Sequence, residues 1–205
     1  MSIYIVRHGN TFLPNEVSRR IGVKTNLDLV SSGVKQAHDL GSYFFQENIS
    51  FESVYCSNLK RTIETVKIIL SYQKTELQII KNHLFDEIDH GVDENRSEEE
   101  VIKRIGLKSI ESWDRFGVAP DGWIVNYNDR IKGWKSFFKQ HNDNENVLVV
   151  TSNGSARFAL LALKYKVKLN DYKLRTGSFG ILKLNEFREY EVFCWNQRPG
   201  TYLTK

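Results

Sequence analysis

At 205 residues, with 40% apolar and 26% charged residues, the chain is long enough to bury one sizeable core, and a single domain over 1–205 is the expectation. Twenty-nine Lys and Arg against 25 Asp and Glu leave +4, with no basic run of five. That balance excludes a nucleic-acid footprint and suits a small anionic partner.

In chain order, Ser2–Val6 is a charge-free strand bounded by Gly9. A polar stretch leads to a helix over Val34–Gln46, with Ser31 or Ser32 as its cap. Ser53–Cys56 is a second strand, and the helix after it carries Leu59, Ile63, Val66, Ile69 and Leu70 on one stripe. Leu77–Ile80 is a third strand. The region 84–128 is acidic, glycine-containing and irregular, with room for one or two short helices, one of them over Ser97–Ile105. Asp129–Gln140 is a helix, Val147–Val150 a fully apolar strand of the buried parallel type, and Ser155–Tyr165 the helix after it. Ser178–Leu184 and Glu189–Trp195 close the chain as strands. Strands alternating with helices predict a three-layer α/β/α sandwich around a mostly parallel sheet.

No apolar stretch approaches the roughly 20 residues that cross a bilayer, and "MSIYIVRHG" lacks the pattern of a signal peptide. Cys56 and Cys194 sit in apolar sequence and read as free thiols of a reducing compartment. A cytoplasmic protein without a membrane partner is expected. Its oligomeric state is not legible.

Ligands of such sheets bind beyond the carboxyl ends of the strands. Three ends carry chemistry: Arg7-His8-Gly9, Cys56-Ser57 with Arg61, and Thr151-Ser152-Asn153-Gly154. Two guanidinium forks, an imidazole and a helix N-terminus make a phosphate site. Four residues separate Cys56 from Arg61, one short of a cysteine-phosphatase loop. No phosphate-binding glycine loop of the nucleotide enzymes occurs, and no His/Cys/Asp set has metal-ligand spacing, so no cofactor and no metal are expected.

The ordered series "RHGNT" (7–11), "LVSSGVKQA" (29–37), "YCSNLKRTIET" (55–65), "FDEIDHG" (85–91) and "VLVVTSNGSAR" (147–157) resembles the histidine phosphatase superfamily over nearly the whole chain. That group contains phosphoglycerate mutases and many small-molecule phosphatases. The resemblance implies a nucleophilic His8 that becomes phosphorylated. It implies a phosphate clamp of Arg7 and Arg61, to which Asn10 could add a donor. Ser57 and Leu59 fit its Ser-x-Leu-x-Arg pattern, as turn and core residues. Glu87 resembles its general acid, since a carboxyl held near phosphate anions is pushed toward its protonated form. The bland alternative is a solvated acid in an acidic loop. The region 84–128 corresponds to a substrate-selecting lid.

The departure is at the fourth strand end. Relatives carry a histidine five residues before an arginine. Here Arg157 lies five residues after Ser152, so Ser152 takes the place of the second histidine, and Ser152 and Asn153 are expected as phosphate-binding residues there. His38, His83 and His141 fall outside the motifs. His90, on the Glu87 loop, is the one substitute in reach and is expected to be solvated. Loss of one charged donor from a preorganised site costs about 10²–10³ in rate. Three readings stay open: a metal-independent phosphohydrolase of small phosphorylated metabolites with reduced or altered activity, a pseudophosphatase that binds such a ligand without turnover, and a mutase-type phosphotransferase.

Overall fold

The computed structural model describes residues 1–141, 145–164, 169 and 172–200. The chain runs β1 (Ser2–Arg7), α1 (Ser31–Gln46), β2 (Ser53–Cys56), α2 (Lys60–Leu70), β3 (Ile79–Lys81), α3 (Glu98–Ile105), α4 (Leu107–Phe116), α5 (Tyr127–Gln140), β4 (Asn146–Thr151), α6 (Asn153–Leu161), β5 (Phe179–Leu184) and β6 (Tyr190–Gln197). The six strands form one sheet in the order β3-β2-β4-β1-β5-β6. β1 to β4 pair in parallel, and β5 turns antiparallel against β1.

Alternation along the central strands builds the two outer layers. Ile3, Ile5, Val147 and Val149 face one core, shared with Trp113, Trp134, Phe137 and Phe158 from α4, α5 and α6. Tyr4, Val6, Leu148 and Val150 face the other, shared with Leu40 and Phe44 of α1 and Val66 and Ile69 of α2. Both faces of β1 and β4 are dry, which is why these strands read as unbroken apolar runs. Three layers around a mostly parallel sheet are therefore present, with β1 and β4 side by side at the centre.

Several boundaries differ from the sequence expectation. α1 begins at Ser31, with Val30 in the cap position and no side-chain cap. The Val30 N–H bonds to Asn10 O at 3.0 Å, so the loop after β1 fixes the start of this helix. Neither serine caps it. α6 begins at Asn153, directly after β4, and the Tyr165 end expected for it lies outside the described residues. The region 84–128 holds two helices. The first has the capping box expected from its acids: Ser97 Oγ accepts from Glu100 N–H while the Glu100 carboxylate takes the Ser97 N–H. Beneath these helices Asp93, fully buried, takes two donors of Arg104 and the Trp123 indole N–H at 2.7 Å.

Candidate active site

Arg7 pairs with Thr151 at the last rung between β1 and β4, and the His8 N–H continues the ladder to Thr151 O at 3.1 Å. One residue further, His8 and Ser152 leave the two central strands side by side. His8 is 2% exposed. Its Nδ1 lies 2.7 Å from Gly9 O, and its Nε2 lies 3.1 Å from Arg61 Nε. A carbonyl only accepts and a guanidinium only donates, so these partners select the tautomer with the proton on Nδ1 and the lone pair on Nε2. Burial first, then the charges of Arg61 and Arg7, hold the His8 pKa well below 6.5. The ring is a neutral base at physiological pH.

Arg61 stands in the first turn of α2, fully buried. Besides its bond to His8, it donates from Nη1 to Thr25 O at 2.9 Å and from Nη2 to Gly22 O at 3.2 Å. Burial lowers its pKa, opposed first by the charge of Glu87. Arg7 donates from Nη1 to Leu174 O at 2.8 Å, while its buried Nε has no partner among the described residues. Burial brings Arg7 down to about 10, which leaves it a cation at neutral pH; among its neighbours it feels Glu87, Arg61 and Arg20.

Glu87 is buried where the loop after β3 meets the N-terminus of α6. Its Oε2 accepts from Gly154 N–H at 3.1 Å and its Oε1 from Ile88 N–H at 2.9 Å. Gly154 is required by this approach, because a Cβ there would come within 2.1 Å of Glu87 Oε1. The acid is thus docked on a helix start instead of solvated, and the positive end of α6 faces it.

Ser152 is fully buried and its Oγ has no hydrogen-bond partner among the described residues. An unpartnered hydroxyl and an unpartnered Arg7 Nε, both at the carboxyl end of the two central strands, suit an anion that accepts from both. The other two expected phosphate donors point to the protein. Asn10 donates from Nδ2 to Ser32 Oγ at 3.2 Å and accepts from the Thr176 hydroxyl. Asn153 Oδ1 accepts from Leu174 N–H at 2.8 Å, so Asn153 and Arg7 grip the two sides of one peptide residue.

His90 corrects the expectation of a solvated ring. It is buried, edge-on to Trp123 with centroids 4.6 Å apart, and its Nδ1 lies 3.6 Å from Glu94 Oε2. The apolar wall of the segment after β3 covers it. Sequence reasoning also passed over Arg130, on α5, which donates to the carbonyls of Asp86 at 2.9 Å and Glu87 at 3.3 Å and so carries the Glu87 loop. An arginine beside the apolar stripe of a helix was the signal available. Thr65 was missed too; its Oγ1 accepts from the Gly9 N–H at 3.2 Å. Among the described residues no group of three His, Cys, Asp or Glu is placed to hold a metal ion, and no helix is long and apolar enough to cross a membrane.

The family model for the histidine phosphatase superfamily (branch 1) matches residues 3–197. A 2,3-bisphosphoglycerate-dependent phosphoglycerate mutase of Treponema denticola is 33% identical over 122 residues, 58% of this chain and 49% of that protein. The same-named enzyme of Buchnera aphidicola is 22% identical over 94% of this chain and 96% of that one. In its best-matching stretch the chain spans about half the length of the first of these relatives. Among solved structures, the α-ribazole phosphatase of Shigella flexneri superposes with a TM-score of 0.74 at 19% identity, over 97% of both chains. A mycobacterial glucosyl-3-phosphoglycerate phosphatase gives 0.77 at 16% identity, over 96% of this chain and 99% of that one. At these identities the superpositions speak for the fold.

Proposed function

The chain belongs to the histidine phosphatase superfamily, and from that premise we propose that it hydrolyses small phosphomonoesters without a metal, through a phosphohistidine on His8. The observation that carries this reading is the His8 ring itself: buried, neutral, and with its lone pair fixed on Nε2 by its two partners. A phosphoryl group bound between Arg7, Arg61 and Ser152 would displace the Arg61 Nε–H from Nε2. His8 Nε2 then attacks phosphorus in line, the ester oxygen leaves, and Glu87 gives that oxygen its proton. In the second half Glu87 takes a proton from water as the water oxygen attacks the phosphohistidine. Inorganic phosphate leaves and His8 returns to its Nδ1–H tautomer. Charge spreads over the equatorial oxygens of a loose transition state, and the two arginines neutralise it. The segment 84–128 is read as the lid that selects the substrate of a single domain, and its side chains set which metabolite fits.

A second reading has its own observation. Every nitrogen of Arg61 is committed inside the protein, on His8, Thr25 and Gly22. A site whose clamp stays closed would bind phosphate weakly or without turnover. Phosphoryl transfer of the mutase type, as in the name of the phosphoglycerate mutases among the relatives, is the third; a richer basic lid would serve it better. One experiment separates the first two. The protein is incubated with a chromogenic phosphomonoester and a panel of phosphorylated metabolites, with and without EDTA, beside His8→Ala. Phosphate release that survives EDTA and vanishes in His8→Ala is expected. Activity lost on chelation, or kept in His8→Ala, overturns the mechanism. Inertness with phosphate still bound favours the pseudophosphatase.

A further inference from the structure

Gly22 and Thr25 each face two ways. Their carbonyls accept the Nη2 and Nη1 donors of Arg61, at 3.2 and 2.9 Å. The Gly22 N–H and the Thr25 hydroxyl both donate to one oxygen, Glu94 Oε1, at 2.7 and 2.6 Å. No room separates the carboxylate from the loop: a Cβ on Gly22 would come within 2.3 Å of Glu94 Oε2 and 2.8 Å of His90 Nδ1. Backbone bonds from Val23 N to Ile88 O and from Asn95 N to Arg20 O, at 3.1 and 2.6 Å, hold the rest of the loop to the same segment. Burial works against the charge of Glu94, yet the nearby His90 ring, the Thr25 hydroxyl and the Gly22 N–H outweigh it and bring its pKa to about 2. The carboxylate is therefore charged at any working pH.

We propose that Glu94 is a positioning residue for Arg61: by fixing the Gly22 and Thr25 peptides from behind, it sets where the guanidinium sits and hence its Nε contact with His8. Glu94 touches no reacting atom. It belongs to the segment read as the lid, so the relay Glu94, Gly22/Thr25, Arg61, His8 ties the seating of that segment to the state of the nucleophile. The idea rests on the reading of Arg61 and His8 given above, and one of its readouts is independent of turnover.

That readout is the titration of the His8 ring by NMR, since the Arg61 charge is one cause of its low pKa. In Glu94→Ala the His8 midpoint rises toward 6.5. Orthovanadate affinity falls, and kcat for a chromogenic ester falls more than KM rises, by up to about 10²-fold for an ångström of misplacement. Thr25→Val, on a partly exposed loop, removes one donor and shifts the same quantities less. Glu94→Gln keeps an acceptor oxygen and recovers part of the loss. A merely structural role lowers the melting temperature of the variants while leaving the His8 titration and vanadate affinity of the folded protein where they were, and that result overturns the proposal. Should Glu94→Ala fail to fold, an unchanged His8 titration in Thr25→Val overturns it as well. A wild-type protein inert toward all phosphomonoesters overturns the phosphatase reading, and the His8 titrations still decide the role of Glu94.

Discussion

His8 Nε2 and Arg61 Nε are 3.1 Å apart and share one hydrogen bond, so the lone pair that would attack phosphorus is held by the group that would clamp the phosphate. Burial and then the Arg61 charge keep the imidazole neutral, and the bond aims it. On the proposed reading, ligand binding and uncovering of the nucleophile would be one event.

The first prediction concerns pH. His8 has a folded pKa well below 6.5, so kcat/KM should run flat through pH 6.5 where an ordinary imidazole nucleophile would lose activity. The sign for stability follows from the same depression. Above pH 6.5 neither state binds the proton. Below it the unfolded chain takes a proton that folded His8 refuses, so stability falls by up to about 1.4 kcal/mol per pH unit until the folded pKa is reached. Urea unfolding at pH 7 and pH 5.5 should show this loss in wild type and less of it in His8→Ala. Equal losses in the two proteins would contradict a buried neutral ring.

Glu87 is tested through the helix that holds it. Glu87→Gln should lower kcat about 10²–10⁴-fold on alkyl phosphates and much less on esters with a p-nitrophenol leaving group, which needs no proton. Gly154→Ala should do nearly the same from the other side, because the new methyl would occupy the place of Glu87 Oε1. Alanine is the better helix former by about 1 kcal/mol, so the backbone has no reason to suffer. A Gly154→Ala enzyme with wild-type kcat on alkyl phosphates would show that the Glu87 placement does not matter to the reaction.

Much of this arrangement was legible in the chain. β1 and β4 announced themselves because both faces are buried, and the motifs after β1, β2, β3 and β4 pointed to the candidates Arg7 and His8, Arg61, Glu87, and Ser152 in turn. What stayed hidden depends on contacts between distant segments. Arg130 looks like any helix-surface arginine until the Glu87 loop folds across it. His90 looks solvated in an acidic loop until Trp123, 33 positions later, covers it. Asn10 and Asn153 carry side chains suited to a phosphate, and only the fold reveals that Thr176 and Leu174 claim them.

The Asp93 site makes a stability prediction. Asp93→Ala leaves the Arg104 guanidinium and the buried Trp123 N–H without their acceptor. Removing one member of a buried pair costs about 3–5 kcal/mol, and Arg104, one third exposed, can relax toward water, which places this case near 3. For a chain of this size that is a fall of about 6–12 °C in melting temperature. Calorimetry of the variant decides it, and a drop under about 2 °C would mean the cluster is not what seats the segment.

The last prediction returns to the residue in the place of the second histidine. Ser152 follows directly on the rung that pairs Arg7 with Thr151, is fully buried, and has an Oγ with no partner among the described residues. No neighbour has taken over for it: Asn153 Oδ1 is bound to Leu174 N–H, and His90 sits against Trp123 and Glu94. Ser152→His should therefore return a charged donor to the site and raise kcat/KM by up to 10²–10³, the worth of one such donor. The larger ring in a packed place should also cost about 1–3 kcal/mol of stability. Asn153→His should behave in the opposite way. It takes the acceptor from Leu174 N–H, loosens the peptide whose carbonyl anchors Arg7, and weakens orthovanadate binding. Ser152→Ala should lower kcat/KM by about 10- to 100-fold, since a hydrogen bond to a charged group such as a bound phosphate contributes about 1.5–3 kcal/mol. Steady-state kinetics of the three variants on one chromogenic ester, with vanadate titrations beside them, give the answer. A folded Ser152→His protein no faster than wild type, with the same vanadate affinity, would show that an imidazole at this position does not reach the phosphate.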